Sequence, residues 1–301
     1  MNSKPAIIYI MSDNRSGSTL LENILSKSDE CFSVGELNML KGHLLKNGPG
    51  EKWNWTCACG SPLDQCVFWS SIVQQTYKAN PENFATSIKW NFKSKAFALN
   101  AAFPFLFKNK FLKVINQRAN KQVTDTLNQL FRLIQEKSGK TFIVDSSKNP
   151  LQALAIYKKV TGFDVKIIWL KRDLRAIVTS KTKWKSLNKK KEKSRLKRLF
   201  DVYYYRRLCS TVAKLADAKD VIQLDYKNLA TNTHEELQKI FTAFDLKPFP
   251  TPQYMELVED HTIGGTPGRF TKKPIQYDDS WIEEYKNDKF AWFIGGVLNK
   301  I

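Results

Sequence analysis

Short apolar runs alternate with segments of helical periodicity along much of the chain. Residues 6–11 form an uninterrupted apolar run with β-branched side chains, which is typical of a parallel strand buried on both faces. Leu20, Leu21, Ile24 and Leu25 follow at the three- and four-residue spacing of an amphipathic helix. Residues 31–37 are predicted to be a short strand that runs into a loop. The same alternation predicts strands at 140–145, 165–170 and 220–224, and helices at 150–160, 173–183 and 195–216.

Strands that alternate with helices predict a mainly parallel sheet covered by helices on both faces. We therefore expect a P-loop-like, three-layer α/β/α fold, with residues 1–301 forming a single domain. Residues 46–139 interrupt the alternation with a loop rich in Gly, Trp and Cys, followed by a helical pattern. This segment is predicted to be a mostly helical, aromatic- and Cys-containing insertion within the domain. Residues 281–301 are predicted to close the chain with one or two helices.

The turn between the first strand and the first helix has the composition of an anion-binding loop. Its residues are Arg15, Ser16, Gly17, Ser18, Thr19 and Leu20. Gly17 lets the backbone approach an anion, Ser18 or Thr19 can cap the helix, and the N–H groups of the first turn attract negative charge. Arg15 adds a permanently charged guanidinium. Because the Lys of a Walker A loop is absent, we expect a phosphate-like ligand without the apparatus for γ-phosphoryl transfer. An ordinary turn of small residues is the alternative.

Three further polar side chains, Glu36, Lys148 and Arg172, follow the ends of predicted strands. Because ligands of parallel sheets bind beyond the carboxyl ends of the strands, these side chains and Arg15 are expected to converge there. Asp173 can cap the helix after Arg172, and Ser180 lies about two turns further along it. Arg172 and Ser180 could therefore grip one phosphate together. A surface Arg–Asp pair on a solvated helix is the alternative.

The two anion-binding elements, in this order and spacing, resemble the paired signature of the sulfotransferases that use 3′-phosphoadenosine 5′-phosphosulfate (PAPS). The similarity is greatest to the bacterial and Golgi-type branches, which modify glycans or protein tyrosines. The resemblance implies that the loop from Arg15 to Leu20 binds the 5′-phosphosulfate and that Arg172 and Ser180 bind the 3′-phosphate. It also implies 3′-phosphoadenosine 5′-phosphate (PAP) as the product.

Three other segments match the same family. The Gly-Glu pair ending at Glu36 resembles that of tyrosylprotein sulfotransferases, which implies that Glu36 is the general base. Residues 145–150 resemble the family's Lys-x-Pro element, which implies that Lys148 contacts the transferring sulfuryl group. Residues 261–269 resemble the loop that closes over the nucleotide, with Thr266 replacing the family's Asn. The contacts implied for that loop come from Gly265, Thr266 and Arg269.

Sulfuryl transfer is an in-line displacement, so its catalysis depends mainly on positioning and on neutralising the charge of the moving group. Arg15, Lys148 and the N–H groups of the loop are predicted to supply that positive charge in place of a metal ion. Glu36 is predicted to remove the proton of the acceptor hydroxyl. His43 is the alternative base, because cytosolic sulfotransferases use a His, and Glu36 could instead be a capping or salt-bridged carboxylate.

The charge balance favours an anionic partner. Lys and Arg number 48 against 29 Asp and Glu, a net charge of +19, and ten of the eighteen residues from Lys181 to Arg198 are basic. We name residues 181–198 the basic strip. It is predicted either to be a solvated face or to bind an acidic glycan, a glycolipid or an anionic membrane surface. A specific nucleic-acid partner is not expected, because no nucleic-acid-binding motif accompanies the charge. A kinase-like phosphotransferase and a non-enzymatic polyanion-binding protein are the rival functions.

The remaining features bear on location and on the cysteines. The sequence has no apolar run long enough to cross a membrane and no room for a signal peptide before its first strand, so we expect a cytoplasmic protein. Five cysteines, an odd number, fit a reducing compartment. Cys57, Cys59 and Cys66 are expected to form a structural loop near the acceptor entrance, either free or joined by a disulfide. Zinc is not expected, because the sequence offers no obvious fourth ligand.

Overall fold

The computed structural model describes residues 4–45, 56–87, 121–187, 194–256, 261–265 and 272–300. Five of the strands in these residues form one parallel sheet, and the other two form a short antiparallel pair. The strands are β1 Ala6–Ser12, β2 Cys31–Gly35, β3 Phe142–Lys148, β4 Asp164–Lys171, β5 Val221–Asp225, β6 Tyr254–Met255 and β7 Lys273–Pro274. The order across the sheet is β2, β3, β1, β4, β5, and all four neighbouring pairs are parallel.

Helices precede or follow every strand of the sheet. The helices are α1 Ser18–Leu25, α2 Leu40–Leu44, α3 Trp69–Val73, α4 Lys121–Ser138, α5 Pro150–Lys159, α6 Leu174–Leu187, α7 Arg195–Leu215, α8 Tyr226–Thr231, α9 Thr233–Phe244 and α10 Lys289–Lys300. A π-helical turn, Gln74–Lys78, continues α3, and 3-10 turns lie at Leu37–Met39, Ala218–Asp220 and Glu283–Tyr285. None of the helices in the described ranges combines the length and the apolar character that crossing a bilayer requires.

The strand β1 lies at the centre of the sheet, and all seven of its residues are buried. Its side chains alternate between two hydrophobic clusters, because successive residues of a strand point to opposite faces. Ile7, Tyr9 and Met11 belong to a cluster that also contains side chains of α4, α5 and α7. Ile8 and Ile10 belong to a second cluster, with side chains of α1 and α9. Helices therefore cover both faces of the parallel sheet, which confirms the predicted α/β fold class.

The helix α4 forms the C-terminal part of the segment 46–139, which is predicted to be a helical insertion. Its buried apolar side chains have the three- and four-residue spacing seen in the sequence, and they belong to the same cluster as the face of β1 that carries Tyr9. They are Val123, Leu127, Leu130, Phe131 and Ile134. This helix is thus part of the main core of the fold. Residues 46–55 and 88–120 of the predicted insertion lie outside the described residues.

The carboxyl ends of the five strands form one edge of the sheet. Register pairs Gly35 of β2 with Asp145 of β3, and Met11 of β1 with Lys148. The order across the sheet therefore places Glu36, Lys148, the loop after β1 and Arg172 one after another along this edge. Neighbouring strands lie about 4.8 Å apart, so side chains from adjacent strand ends are within reach of one another.

Candidate functional site

The loop between β1 and α1 has an unusual backbone. Arg15 has a φ of 74° and Gly17 a φ of 94°, both in the left-handed region. Gly17 is the N-cap residue of α1, and no side chain caps this helix. The expectation that Ser18 or Thr19 caps α1 is therefore wrong, because both residues already lie within the helix. Leaving the first turn without a side-chain cap keeps its N–H groups available to an anion.

Gly17 cannot carry a side chain in this structure. A Cβ at this position would lie 2.2 Å from Cδ2 of Tyr226, the first residue of α8. The loop therefore packs its backbone directly against an aromatic ring. Leu20, another residue predicted to bind the donor, packs against the second hydrophobic cluster, and its amide donates to the Gly17 carbonyl at 3.0 Å.

Arg15, Arg172 and Ser180 meet at one cavity, as predicted. The Nε of Arg15 donates to Oγ of Ser180 at 2.8 Å, and Nη1 of Arg172 donates to the carbonyl oxygen of Arg15 at 3.1 Å. The cavity between them has a volume of about 220 Å³ and is also lined by Lys183 and Asp278. The predicted cap at the start of α6 is present as well, since the amide of Arg175 donates to Asp173 Oδ1 at 2.8 Å.

This cavity, which we call the cation cavity, carries excess positive charge. Its lining has three cationic side chains, Arg15, Arg172 and Lys183, and one carboxylate, Asp278. Asp278 lies 3.5 Å from Nη2 of Arg172 and its side chain is 58% exposed, so it neutralises little of that charge. Burial, together with the neighbouring charge of Arg172, lowers the pKa of Arg15 from its ordinary value. A bound anion would relieve this repulsion.

Oγ of Ser16 and Nε of Arg172 are among the buried polar atoms of this region that have no hydrogen-bond partner within the described residues. Buried polar groups are normally paired, so such atoms call for a ligand or a water. The guanidinium of Arg172 also lies over the ring of Tyr226, with Cζ 4.4 Å from the ring centroid, which fixes its plane. These donors fit the phosphate oxygens of a nucleotide such as PAPS.

On the other side of the loop, Glu36 and Lys148 form an ion pair, which we call the Glu36–Lys148 pair. Nζ of Lys148 lies 2.6 Å from Oε1 of Glu36, and the two side chains are only 8% and 17% exposed, respectively. The amide of Gly265 donates to the same carboxylate oxygen at 3.1 Å. Nζ of Lys148 also donates to the carbonyl of Ser146 at 3.2 Å. The carboxylate and the ammonium are thus both held in place before any ligand binds.

Two of the predicted catalytic residues have strained backbones. Among the described residues other than Gly, a positive φ occurs at Arg15, Lys148 and Asp245. Asn149 caps α5 by accepting from the amide of Leu151 at 2.9 Å, and Pro150 begins that helix. The chain must turn from β3 into α5 within one residue, and Lys148 makes this turn with a φ of 69°. Strain of this kind costs about 1–3 kcal/mol and clusters at functional sites.

The remaining predicted site residues are the alternative base and the residues expected to close over the nucleotide. His43, the alternative base, is 3% exposed within α2, so it is less accessible to an acceptor than Glu36. Gly265, predicted to contact the nucleotide, lies against Glu36. Thr266 and Arg269 lie outside the described residues.

Sequence reasoning missed Tyr226, Asp278 and Trp281. Tyr226 directly follows β5, so the same rule about strand ends could have found it. Asp278 and Trp281, which line the cation cavity, come from the segment before α10, and no local pattern marks them.

Several basic residues of the basic strip are paired within the protein. Lys181 lies 2.5 Å from Asp13, and Lys183 lies 3.4 Å from Glu284. Arg195 lies 3.3 Å from Asp288, and the buried Arg198 donates to Thr182. These four side chains are therefore not simply a solvated face. Residues 188–193 of the strip lie outside the described residues.

The expectation that the three clustered cysteines lack a fourth metal ligand needs a correction. All five cysteines are free thiols, and Cys57, Cys59 and Cys66 meet His261, which reaches the cluster from a distant part of the chain. A fourth candidate metal ligand is therefore present. Local spacing could not reveal it, because His261 follows Cys66 by 195 residues.

Comparison with known proteins identifies the family of the chain. The sequence model of the sulfotransferase family matches residues 5–250, and the chain belongs to this family. Among solved structures, it is similar to the sulfotransferase domain from the curacin biosynthetic pathway, at 17% identity over 98% of each chain and a TM-score of 0.54. It is also similar to the sulfotransferase domain from the Synechococcus PCC 7002 olefin synthase, at 16% identity over 99% of this chain and 97% of that one, with a TM-score of 0.53. These two likenesses concern the fold. No match was found among curated proteins.

Proposed function

We propose that this sulfotransferase moves the sulfuryl group of PAPS onto a hydroxyl of a carbohydrate or glycolipid, with Glu36 as the general base. One observation carries the proposal. The cation cavity and the Glu36–Lys148 pair lie at the same edge of the sheet, beyond neighbouring strand ends. A cavity suited to an anion and a carboxylate suited to accept a proton thus lie at one edge, which supports transfer of an anionic group to a hydroxyl.

The donor would be held by the residues around the loop after β1. Arg172 and Ser180 line a cavity with excess positive charge, which supports their role as ligands of the 3′-phosphate, and Arg15 reaches the same cavity from the loop proposed to bind the 5′-phosphosulfate. The uncapped amides of Ser18 and Thr19, and the unpaired hydroxyl of Ser16, are suited to the 5′-phosphosulfate. Gly265, Thr266 and Arg269 are proposed to complete the nucleotide site. When bound, PAPS supplies an activated sulfuryl group.

The protein residues then have two tasks. Glu36 takes the proton of the acceptor hydroxyl, which makes the oxygen nucleophilic. Lys148 keeps the carboxylate in position at 2.6 Å and places a positive charge where negative charge develops during transfer. Arg15 and Lys148 supply the positive charge that a metal ion supplies to phosphotransferases, so the reaction is proposed to need no catalytic metal.

The acceptor is proposed from charge. A net charge of +19 favours an acceptor that already bears acidic groups, such as an anionic glycan or a glycolipid at a membrane surface. Two similar solved structures are sulfotransferase domains from a biosynthetic pathway and from an olefin synthase, so hydroxylated biosynthetic intermediates belong in the same screen. A cytoplasmic location is also proposed, supported by five cysteines of which none forms a disulfide, as expected in a reducing compartment.

Titration calorimetry with PAP tests the donor site in buffer without Mg²⁺. We expect binding by the wild type and by Arg132→Ala, a matched variant of an exposed arginine in α4, and strong weakening in Arg172→Ala. Binding of ATP with Mg²⁺ in place of PAP would favour the phosphotransferase. Polyanion binding that survives Arg15→Ala and Arg172→Ala but falls steeply with salt would favour the non-enzymatic function. Once PAP binding is established, labelled PAPS and a panel of glycans, glycolipids and small alcohols identify the acceptor.

A further inference from the structure

Four side chains with metal-ligating atoms meet on one side of the Glu36 region. Sγ of Cys57, Cys59 and Cys66 and a ring nitrogen of His261 all lie within 4.8 Å of one another. Nδ1 of His261 lies 3.6 Å from Sγ of Cys57 and 3.2 Å from Sγ of Cys66, and the sulfurs of Cys59 and Cys66 are 3.6 Å apart. In a tetrahedral site with Zn–S of about 2.3 Å and Zn–N of about 2.0 Å, neighbouring ligand atoms lie about 3.5–3.8 Å apart, so small shifts of these side chains would suffice to bind the ion.

We propose that these residues bind one Zn²⁺ ion in a closed, structural Cys₃His site. Three thiolates and one imidazole in a tetrahedral arrangement are a ligand set that selects zinc over hard cations such as Mg²⁺. All four protein ligands are used, so no position remains open for a water or a substrate. The site is therefore structural rather than catalytic. Zinc binding releases the protons of the three thiols to solvent.

The backbone between the cysteines is shaped for such a site. The amide of Gly60 donates to the carbonyl of Cys57 and the amide of Cys57 to the carbonyl of Ser61, each at 2.9 Å. Gly60 has a φ of 87°, which a glycine adopts without strain. This tight turn brings Cys57 and Cys59 to the same side, although only one residue separates them.

Aromatic residues hold the histidine. The ring of His261 stacks on Phe68, with centroids 5.3 Å apart and planes 14° from parallel. The indole Nε1 of Trp69 donates to the carbonyl oxygen of His261 at 2.6 Å. Outer contacts of this kind orient metal ligands and raise affinity. A disulfide explains the cluster less well, since it would use two of the three thiols and give His261 no role.

The ion would anchor the segment 261–265 to the segment that carries the cysteines. The amide of Ala58 donates to the carbonyl of Thr262 at 3.1 Å beside the cluster. Ile263 then pairs with Gly35, and the amide of Gly265 reaches the carboxylate of Glu36. Zinc would thereby hold the backbone that positions Glu36. The proposal that zinc binds here does not depend on the proposed reaction. Only the importance of this site for catalysis rests on the proposed function of Glu36.

Metal analysis of the purified full chain tests the site. After dialysis against metal-free buffer, inductively coupled plasma mass spectrometry is expected to find one zinc ion per chain. Cys59→Ala and His261→Ala are expected to lose it. Cys209→Ala, which removes a buried cysteine of α7, and His234→Ala, which removes an exposed histidine of α9, are expected to keep it. Cys59 is exposed, so its variant should still fold.

Two further measurements make the outcome decisive. Reconstitution with Co²⁺ is expected to give the charge-transfer and d–d absorption of a tetrahedral thiolate site in the wild type and to lose it in Cys59→Ala. Hydrogen exchange of residues 261–265 is expected to accelerate in Cys59→Ala and not in Cys209→Ala. A protein that stays free of zinc and cobalt with five titratable thiols, or one that contains a disulfide between two of the three cluster cysteines, would overturn the site. Unchanged exchange at 261–265 after zinc loss would overturn the anchoring role.

Discussion

The cation cavity and the Glu36–Lys148 pair lie at the same edge of the sheet, but they differ in how their polar groups are satisfied. At the cavity and in the loop beside it, Arg172 Nε and Ser16 Oγ are buried without a partner among the described residues. At the pair, Glu36 contacts both the ammonium of Lys148 and the amide of Gly265. Unsatisfied donors gain free energy from an added anion, whereas a preformed pair gains little. The cavity should therefore determine affinity for the donor, and the pair should determine the rate of transfer.

Glu36→Gln gives the largest expected effect and separates the two regions most directly. The amide side chain keeps the shape of Glu36 and can still accept from Gly265, but it cannot take a proton. Loss of a general base lowers turnover by about 10²- to 10⁴-fold. PAP affinity should change by less than about threefold, since the cation cavity stays intact. Initial rates of PAP formation from PAPS with an active acceptor, together with calorimetry, measure both quantities.

Glu136→Gln is the matched control for that variant, because Glu136 is 59% exposed on α4 and far from the sheet edge. It should leave both the rate and the affinity unchanged. If Glu36→Gln instead weakened PAP binding and kept the turnover number, the division of roles between the two regions would be wrong. His43→Gln would then be the next variant to assay as the base.

Gly17→Ala tests whether the cavity loop depends on a glycine. The new Cβ would lie 2.2 Å from the ring of Tyr226, and φ at this position is 94°. The left-handed backbone costs about 1–2 kcal/mol for a residue with a Cβ, and the overlap adds about 1–3 kcal/mol. We expect the free energy of unfolding, measured with urea, to fall by about 2–5 kcal/mol.

Gly139→Ala is the control for Gly17→Ala, since Gly139 also has a positive φ, 64°, but a Cβ there would meet nothing within 4 Å. It should show the backbone cost alone. Equal losses of stability in the two variants would mean that Tyr226 moves aside readily, and that the close packing of the loop on this ring has no energetic weight.

Arg172→Lys tests whether donor binding in the cation cavity needs the planar guanidinium of Arg172 or only its positive charge. A lysine keeps the positive charge but cannot donate in a planar fork or stack on Tyr226 in the same way. Loss of charge-assisted hydrogen bonds to a phosphate costs about 1.5–3 kcal/mol, which corresponds to about 10- to 100-fold in Kd for PAP. Calorimetry should place Arg172→Lys between the wild type and Arg172→Ala. Wild-type affinity in both variants would remove Arg172 from the donor site.

The parts of the site that could be predicted depend on short stretches of sequence. Arg15, Glu36, Lys148 and Arg172 each lie at or just past the carboxyl end of a strand, and parallel topology brings strand ends together whatever lies between them. The periodicities of the strands and helices are also carried by short stretches of sequence, so they were sufficient to predict the α/β fold class. The effect of Gly17 was predicted only in part, because its role depends on Tyr226 as well as on its own backbone.

The remaining features depend on contacts between distant segments. Asp278 reaches Arg172 from the C-terminal part of the chain, and His261 reaches the cysteines across 195 residues or more. No periodicity or local motif encodes such a meeting. Zinc is not expected from the sequence, because no fourth ligand lies near the cysteines along the chain. The identity of the acceptor is equally hidden, since acceptor sites are built by loops whose sequence has no regular pattern.

Asp145, beneath the Glu36–Lys148 pair, should make the stability of the protein depend on pH. Its carboxyl group is fully buried in β3, and burial raises its pKa from 3.8 to about 7, although hydrogen bonds from Ser147 oppose the shift. Between these two values the folded protein binds more protons than the unfolded chain. The free energy of unfolding should therefore fall as pH rises from about 4 to about 7, by at most about 1.4 kcal/mol per pH unit, and this contribution should be constant above that range.

Urea denaturation of the wild type and Asp145→Asn across this pH range measures the effect. The variant has no titrating group here, so its stability should fall less steeply than that of the wild type between pH 4 and 7. Its overall stability should be lower, because the new amide nitrogen would replace Oδ2, which has no hydrogen-bond partner among the described residues. Parallel pH profiles for the two proteins would mean that Asp145 is ionised in the fold. Asp145 would then be a buried negative charge close to the Glu36–Lys148 pair. Lys148 would be attracted to two carboxylates, those of Glu36 and Asp145, instead of one.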